Sequence, residues 1–168
     1  VLRGLGIKPW LMDLSLQPHE KPGADIGGEP LAAKAGATWE ALGEMERAAA
    51  GETMIKGGTQ ALVEAYQAGE ISGVIGVGGA NGCTVFCGMM RALPALFPKV
   101  MVTPVAATAA VQWYVAESDI AMYPTISDIV MNRITKAVME NACYAVGGMA
   151  EAWQKRNSTQ AEEPPLIG

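Results

Sequence analysis

The sequence predicts an α/β fold: a three-layer Rossmann-like parallel sheet with helices on both faces, missing its first strand. Three observations carry that prediction. Ile71–Val77, ISGVIGV, is apolar on both faces, as a parallel strand between two helix layers must be. The glycines Gly76, Gly78, Gly79 and Gly82 lead from it into a helical stretch, Asn81–Ala92. A second apolar run, Lys99–Thr103, follows, so strand, helix and strand fill about 33 residues, the size of one βαβ unit.

Composition agrees with a buried core. Of the 168 residues half are apolar and 17% charged, so the chain is expected to fold as one globular domain rather than remain disordered. The net charge is −5 without a basic run, which argues against nucleic acid as a partner. Val100–Ala116 is broken by threonines, Pro104 and Gln112 and is too short for a membrane helix, so no membrane association is expected. Three cysteines, Cys83, Cys87 and Cys143, with a single histidine, His19, make neither a disulfide framework nor a zinc site. A reducing cytoplasm fits this usage.

Trp10–Leu14 reads as a buried strand preceded by the last turn of a helix, and Gln17–Pro30 as a loop in which His19 is solvated. Leu31–Gly36 and Thr38–Ala50 read as short helices, the second capped by Thr38. Ile55, Thr59, Leu62 and Tyr66 recur at helical spacing, so Glu52–Ala68 is an amphipathic helix that Gly69 ends. After the small residues Ala106–Ala110 and the pair Trp113-Tyr114, Ile120–Met122 reads as a third strand. Thr125 with Asp128 resembles a capping box opening a long helix to about Lys155, with Ile126, Ile129, Val130, Ile134, Val138, Ala142, Ala145 and Met149 on its buried face. Residues 1–156 are thus the domain, and 157–168 a linker.

The chemistry lies at the glycine turn. Bare backbone and a helix N-terminus offer N–H groups to an anion, Asn81, Cys83 and Thr84 could add contacts, and the competing reading is that the glycines only allow close packing. Cys83 stands where a Walker loop requires lysine, and no acid occurs from Ile71 to Ala116 to hold an NAD ribose, so neither signature is present. Asp119 either binds magnesium or serves the backbone, and capping is the favoured role of Asp128. Cys83 has two readings: a thiolate of lowered pKa at a helix N-terminus, or a buried small residue.

Those residues, with Met90-Arg91-Ala92-Leu93-Pro94, Pro98–Val102, Ser118-Asp119-Ile120 and Asn132-Arg133-Ile134, make the sequence resemble the N-terminal domain of the Tm-1-like ATP-binding (UPF0261) family. The resemblance covers most of Trp10–Ala152 and implies a Rossmann-like domain that binds ATP, with or without Mg, followed by a second α/β domain whose opening strand Pro165–Gly168 resembles. Carried over as nucleotide-binding are Gly78, Gly79, Asn81, Gly82, Cys83 and Thr84, with Thr103 and Thr108 at the neighbouring strand end. Two departures matter. The family's opening Gly-Thr-x-Asp-Thr-Lys-like turn is absent, and Ala106-Ala107-Thr108 stands where members carry Ser-Gly-Asp, so a carboxylate is missing. The resulting expectation is a binding or regulatory nucleotide domain without fast hydrolysis, and charge compensation from Arg91, Arg133 or a partner. The alternatives are a homodimerisation module built on the long helix and Trp113-Tyr114, and half of a two-domain enzyme acting on a phosphorylated or carboxylate substrate.

Overall fold

The structure, a computed structural model, describes residues 1–16, 23–126 and 131–160, without the side chains of 159 and 160. His19, Asp128, Ile129, Val130 and Pro165–Gly168, each assigned a role above, lie outside the described residues.

Among the described residues the sheet has three parallel strands, β1 (Val74–Val77), β2 (Lys99–Thr103) and β3 (Ala121–Pro124), in that spatial order. Val74 registers with Lys99, and Val100 with Ala121. Six helices accompany them: α1 (Gly28–Lys34), α2 (Trp39–Glu44), α3 (Arg47–Gln67), α4 (Ala80–Met90), α5 (Val111–Val115) and α6 (Arg133–Gln160). Successive side chains of a strand point to opposite faces. Met101 accordingly packs with Cys83, Cys87 and Met90 of α4, while Val100 and Val102 pack with Ala142 and Val146 of α6. This is the expected arrangement, a parallel sheet with helices on both faces, and all five residues of β2 are buried.

Outside α4 the layers continue through α3 to α1. A Cβ on Gly57 of α3 would come within 1.9 Å of the Leu31 carbonyl oxygen, so α1 and α3 touch backbone to backbone there. Leu31, Ala32, Leu42, Ala50, Met54 and Ala61 form the core of this outer layer.

Several elements differ from expectation. Trp10–Leu14 is not a sheet strand: it makes one parallel bridge, Met12 to Ile26, and Trp10 and Leu11 are exposed. Its backbone pairs with Asp25 and Ile26, through Asp13 N to Ile26 O at 2.9 Å and Asp25 N to Leu11 O at 2.8 Å, and Met12 and Leu14 add side-chain packing against the core. The helix expected at Thr38–Ala50 ends at Glu44, where Met45 turns extended, and α3 begins at Arg47, five residues before the expected Glu52. Thr38 does cap α2, its Oγ1 accepting from Ala41 N at 3.2 Å.

The long helix also starts late. Ile126 is left-handed (φ 67°), a conformation that a β-branched residue cannot carry into a helix, and α6 begins at Arg133. Its buried face carries Thr135, Ala142 and Val146; Ile134, expected on that face, is 53% exposed.

Candidate functional site

The glycines after β1 divide into two kinds. A Cβ at Gly76 would sit 2.9 Å from Met101 Sδ and 3.0 Å from Phe86, and one at Gly78 would sit 2.9 Å from Gly82 Cα. These two are packing glycines, letting α4 lie close on the sheet. Above Gly79, the N-cap of α4, there is nothing within 4 Å.

Gly79 supplies no side chain to the helix it opens, and no side chain caps α4. The first intrahelical bond of α4 runs from Cys83 N to Gly79 O at 2.8 Å, so the amides of Ala80, Asn81 and Gly82 precede it and lack a turn beneath them to accept. Asn81 and Thr84 are exposed beside these amides, and the Thr84 hydroxyl donates back to Ala80 O at 3.3 Å. The junction opens at the carboxyl ends of the parallel strands, the edge at which open α/β sheets take their ligands.

The other expected residues fall beneath or beside this surface. Cys83 is fully buried, and its thiol donates to Thr103 Oγ1 at 3.1 Å. The same oxygen accepts from Val105 N at 3.2 Å, which shapes the 3₁₀ turn Pro104–Ala107 after β2. Cys83 and Thr103 therefore tie α4 to β2 below the open amides rather than facing outward. Thr108 is exposed, with its hydroxyl turned back onto Val105 O at 2.8 Å. Burial pushes the Cys83 thiol up, and burial together with repulsion from Cys83 pushes Cys87 up to about 12. Fully buried and bonded to Thr103, Cys83 fits the reading of a buried small residue better than that of an exposed thiolate.

Arg91 is not at the site. It follows the last residue of α4, roughly 16 Å of helix away, where its Nη1 donates to the Tyr114 carbonyl at 2.5 Å. Arg133 is the first residue of α6, the helix that follows β3. Asp119 is explained without magnesium: its Oδ2 accepts from Leu96 N at 2.6 Å and its Oδ1 from the buried Lys99 ammonium. Burial alone would raise the Asp119 carboxyl, but Lys99 and the Leu96 amide outweigh it and hold the pKa below its ordinary value. Among the described residues no cluster of His, Cys, Asp and Glu could hold a metal ion. No helix among them is long and apolar enough to cross a membrane.

Sequence reasoning missed the cap of α6. Asn132 Oδ1 accepts from Ile134 N at 2.8 Å and Thr135 N at 2.9 Å, closing that helix with its own side chain. Asn directly ahead of a helical run was the available signal.

An open parallel sheet layered by helices on both faces, with a glycine junction at its carboxyl edge, defines an α/β domain of the Rossmann-like class. The family described as "Uncharacterised protein family (UPF0261) N-terminal domain" matches residues 1–155, and the chain belongs to that family. A UPF0261 protein of Clostridium tetani is 32% identical over 165 residues, 97% of this chain and 40% of the relative. A UPF0261 protein of Rhizobium meliloti is 36% identical over 100 residues, 59% of this chain and 24% of the relative. The ToMV resistance protein Tm-1 of Solanum lycopersicum is 36% identical over 80 residues, 47% of this chain and 10% of that protein. The chain spans at most 40% of the length of these three relatives.

Proposed function

We propose that this domain binds ATP, with the phosphates on the backbone amides of Ala80–Gly82 and the side chains of Asn81 and Thr84 beside them. The reading is carried by one observation: the N-terminus of α4 is left without a side-chain cap, under open space at Gly79. Partial positive charge and unpaired donors at such an end favour an anion, and the resemblance to Tm-1-like ATP-binding proteins favours ATP over other anions. The junction residues Val77–Thr84 include no lysine, arginine or acid. Magnesium is then carried in on the phosphates, and the domain acts as a binding or regulatory unit rather than a fast hydrolase.

The test is calorimetric titration of the chain with a non-hydrolysable magnesium–ATP analogue, beside Gly82→Asp. A Cβ at Gly82 has ordinary contact with Phe86, 3.5 Å away, so the variant keeps its fold while placing a negative charge among the amides. Saturable binding that the variant loses supports the reading; no heat at millimolar analogue removes it.

A second reading has its own observation. Ile134 and Tyr144 of α6 are more than half exposed, apolar positions suited to a homodimer contact, and Trp113 of α5 is 83% exposed. Sedimentation of the chain against Ile134→Glu and Tyr144→Glu decides it: a dimer that both variants split is the expected result.

A further inference from the structure

At the opposite edge of the sheet, where β2 and β3 begin, Arg91, Leu93, Ala95, Lys99, Glu117 and Asp119 line a cleft of about 380 Å³. Pockets that hold small molecules run from roughly 300 Å³ upward, so this one suits a ligand of about ten heavy atoms.

Ser118 also lines it, and four of the seven residues are charged, two of each sign. Lys99 and Asp119 neutralise one another in a direct ion pair. Arg91 and Glu117 do not. Among the described residues the guanidinium's one hydrogen bond goes to the neutral Tyr114 carbonyl, which orients it without cancelling its charge. Glu117 takes part in none of the ion pairs or hydrogen bonds among the described residues, although it shares the cleft with Arg91.

An unopposed cation and an unopposed anion in one cleft discriminate between ligands. A simple anion drawn to Arg91 meets Glu117, and a simple cation drawn to Glu117 meets Arg91, so each gains on one side and loses on the other. A zwitterion gains on both. Beside the charges, Leu93 and Ala95 give the lining its apolar part.

We propose that this cleft binds a free α-amino acid with an apolar side chain. Its carboxylate pairs with the Arg91 guanidinium, whose fork geometry suits two parallel hydrogen bonds. Its ammonium pairs with Glu117, and its side chain lies over Leu93 and Ala95. The site is independent of the nucleotide reading and sits at the other edge of the sheet.

The experiment is calorimetric titration of the 168-residue chain with L-leucine, N-acetyl-L-leucine and L-leucinamide. Leucine is expected to saturate, and the two blocked analogues, each lacking one charge, to bind at least about tenfold more weakly. Arg91→Gln and Glu117→Gln, both exposed positions, should each weaken leucine by a similar factor while melting like the parent. Gly82→Asp should bind leucine unchanged. The proposal is overturned if leucine gives no saturable heat at millimolar concentration, if the blocked analogues bind as well as leucine, or if Gly82→Asp removes the binding. The analogue series uses the unmodified chain and so stands even if a variant fails to fold.

Discussion

Two strand-to-helix junctions stand at the carboxyl edge of this sheet, and they are finished in opposite ways. After β3, Asn132 folds its amide oxygen over the first turn of α6 and satisfies two amides. After β1, Gly79 brings no side chain to α4, and among the described residues no side chain caps the turn. A missing cap costs about 1 kcal/mol, so an open end is sensible where an external acceptor completes it. The contrast also teaches that glycine content is not itself the signal. Gly76 and Gly78 answer to Met101, Phe86 and Gly82, and of the four junction glycines only Gly79 faces free space.

The largest expected effect comes from filling the packed part of the open junction. Gly78→Val would push its Cβ against the Gly82 backbone at 2.9 Å, and should destabilise the chain by about 2–3 kcal/mol in urea unfolding. A near-neutral result would mean that α4 does not lie against β1 as described.

Removing the cap of the closed junction comes next. Asn132→Ala should cost about 1 kcal/mol and leave nucleotide binding at α4 untouched. Loss of binding in that variant would tie the two junctions together and dissolve the comparison.

The converse change closes the open end. Gly79 has extended backbone (φ −74°, ψ −159°), the conformation of a capping residue, and room for a side chain. Gly79→Asp should therefore gain about 0.5 kcal/mol from capping and a stiffer unfolded chain, while abolishing binding of the nucleotide analogue. Stability rising as binding falls is the signature of an end held open for a ligand.

The smallest effect is a background common to every junction variant. The folded pKa of Asp119 lies below its ordinary value of 3.8, so its contribution is present above that value and lost as pH falls through the lower, folded pKa. Asp119→Asn should flatten the acid limb of a thermal-melting profile by a small amount, because Asp119 is 38% exposed and solvent screens its pair with Lys99. The Gly79 and Asn132 variants should retain that limb.

Local chemistry was legible wherever it decided the structure. β2 occupies the run its apolar residues mark, Thr38 caps α2, and α4 starts one residue before the expected Asn81. Long-range pairing was not. Lys99 and Asp119 lie 20 residues apart and meet only because β2 and β3 begin side by side. The cap of α6 was placed at Thr125 because a threonine with an acid three residues on outranks a lone asparagine by pattern, whereas the left-handed backbone at Ile126 rules that start out. The break expected between Thr38–Ala50 and Glu52–Ala68 is absent, because Ala50 and Met54, both buried, carry α3 through it. At the site, the open end of α4 was visible in the glycines; that Cys83 and Thr103 bond to one another beneath it was not.

The burial of β2 sets a clock for the whole molecule. Each of its five residues is shielded, with β1 on one side, β3 on the other, α4 above and α6 below. Its amides can trade hydrogen for deuterium only when those layers separate, so their exchange rate reads the global opening of the domain. The outer edges of β1 and β3, bare among the described residues, exchange through local fluctuation instead. Ligand at α4 would slow the centre of the sheet by the full measure of its binding energy and the edges by less, which turns one strand into an internal gauge of occupancy.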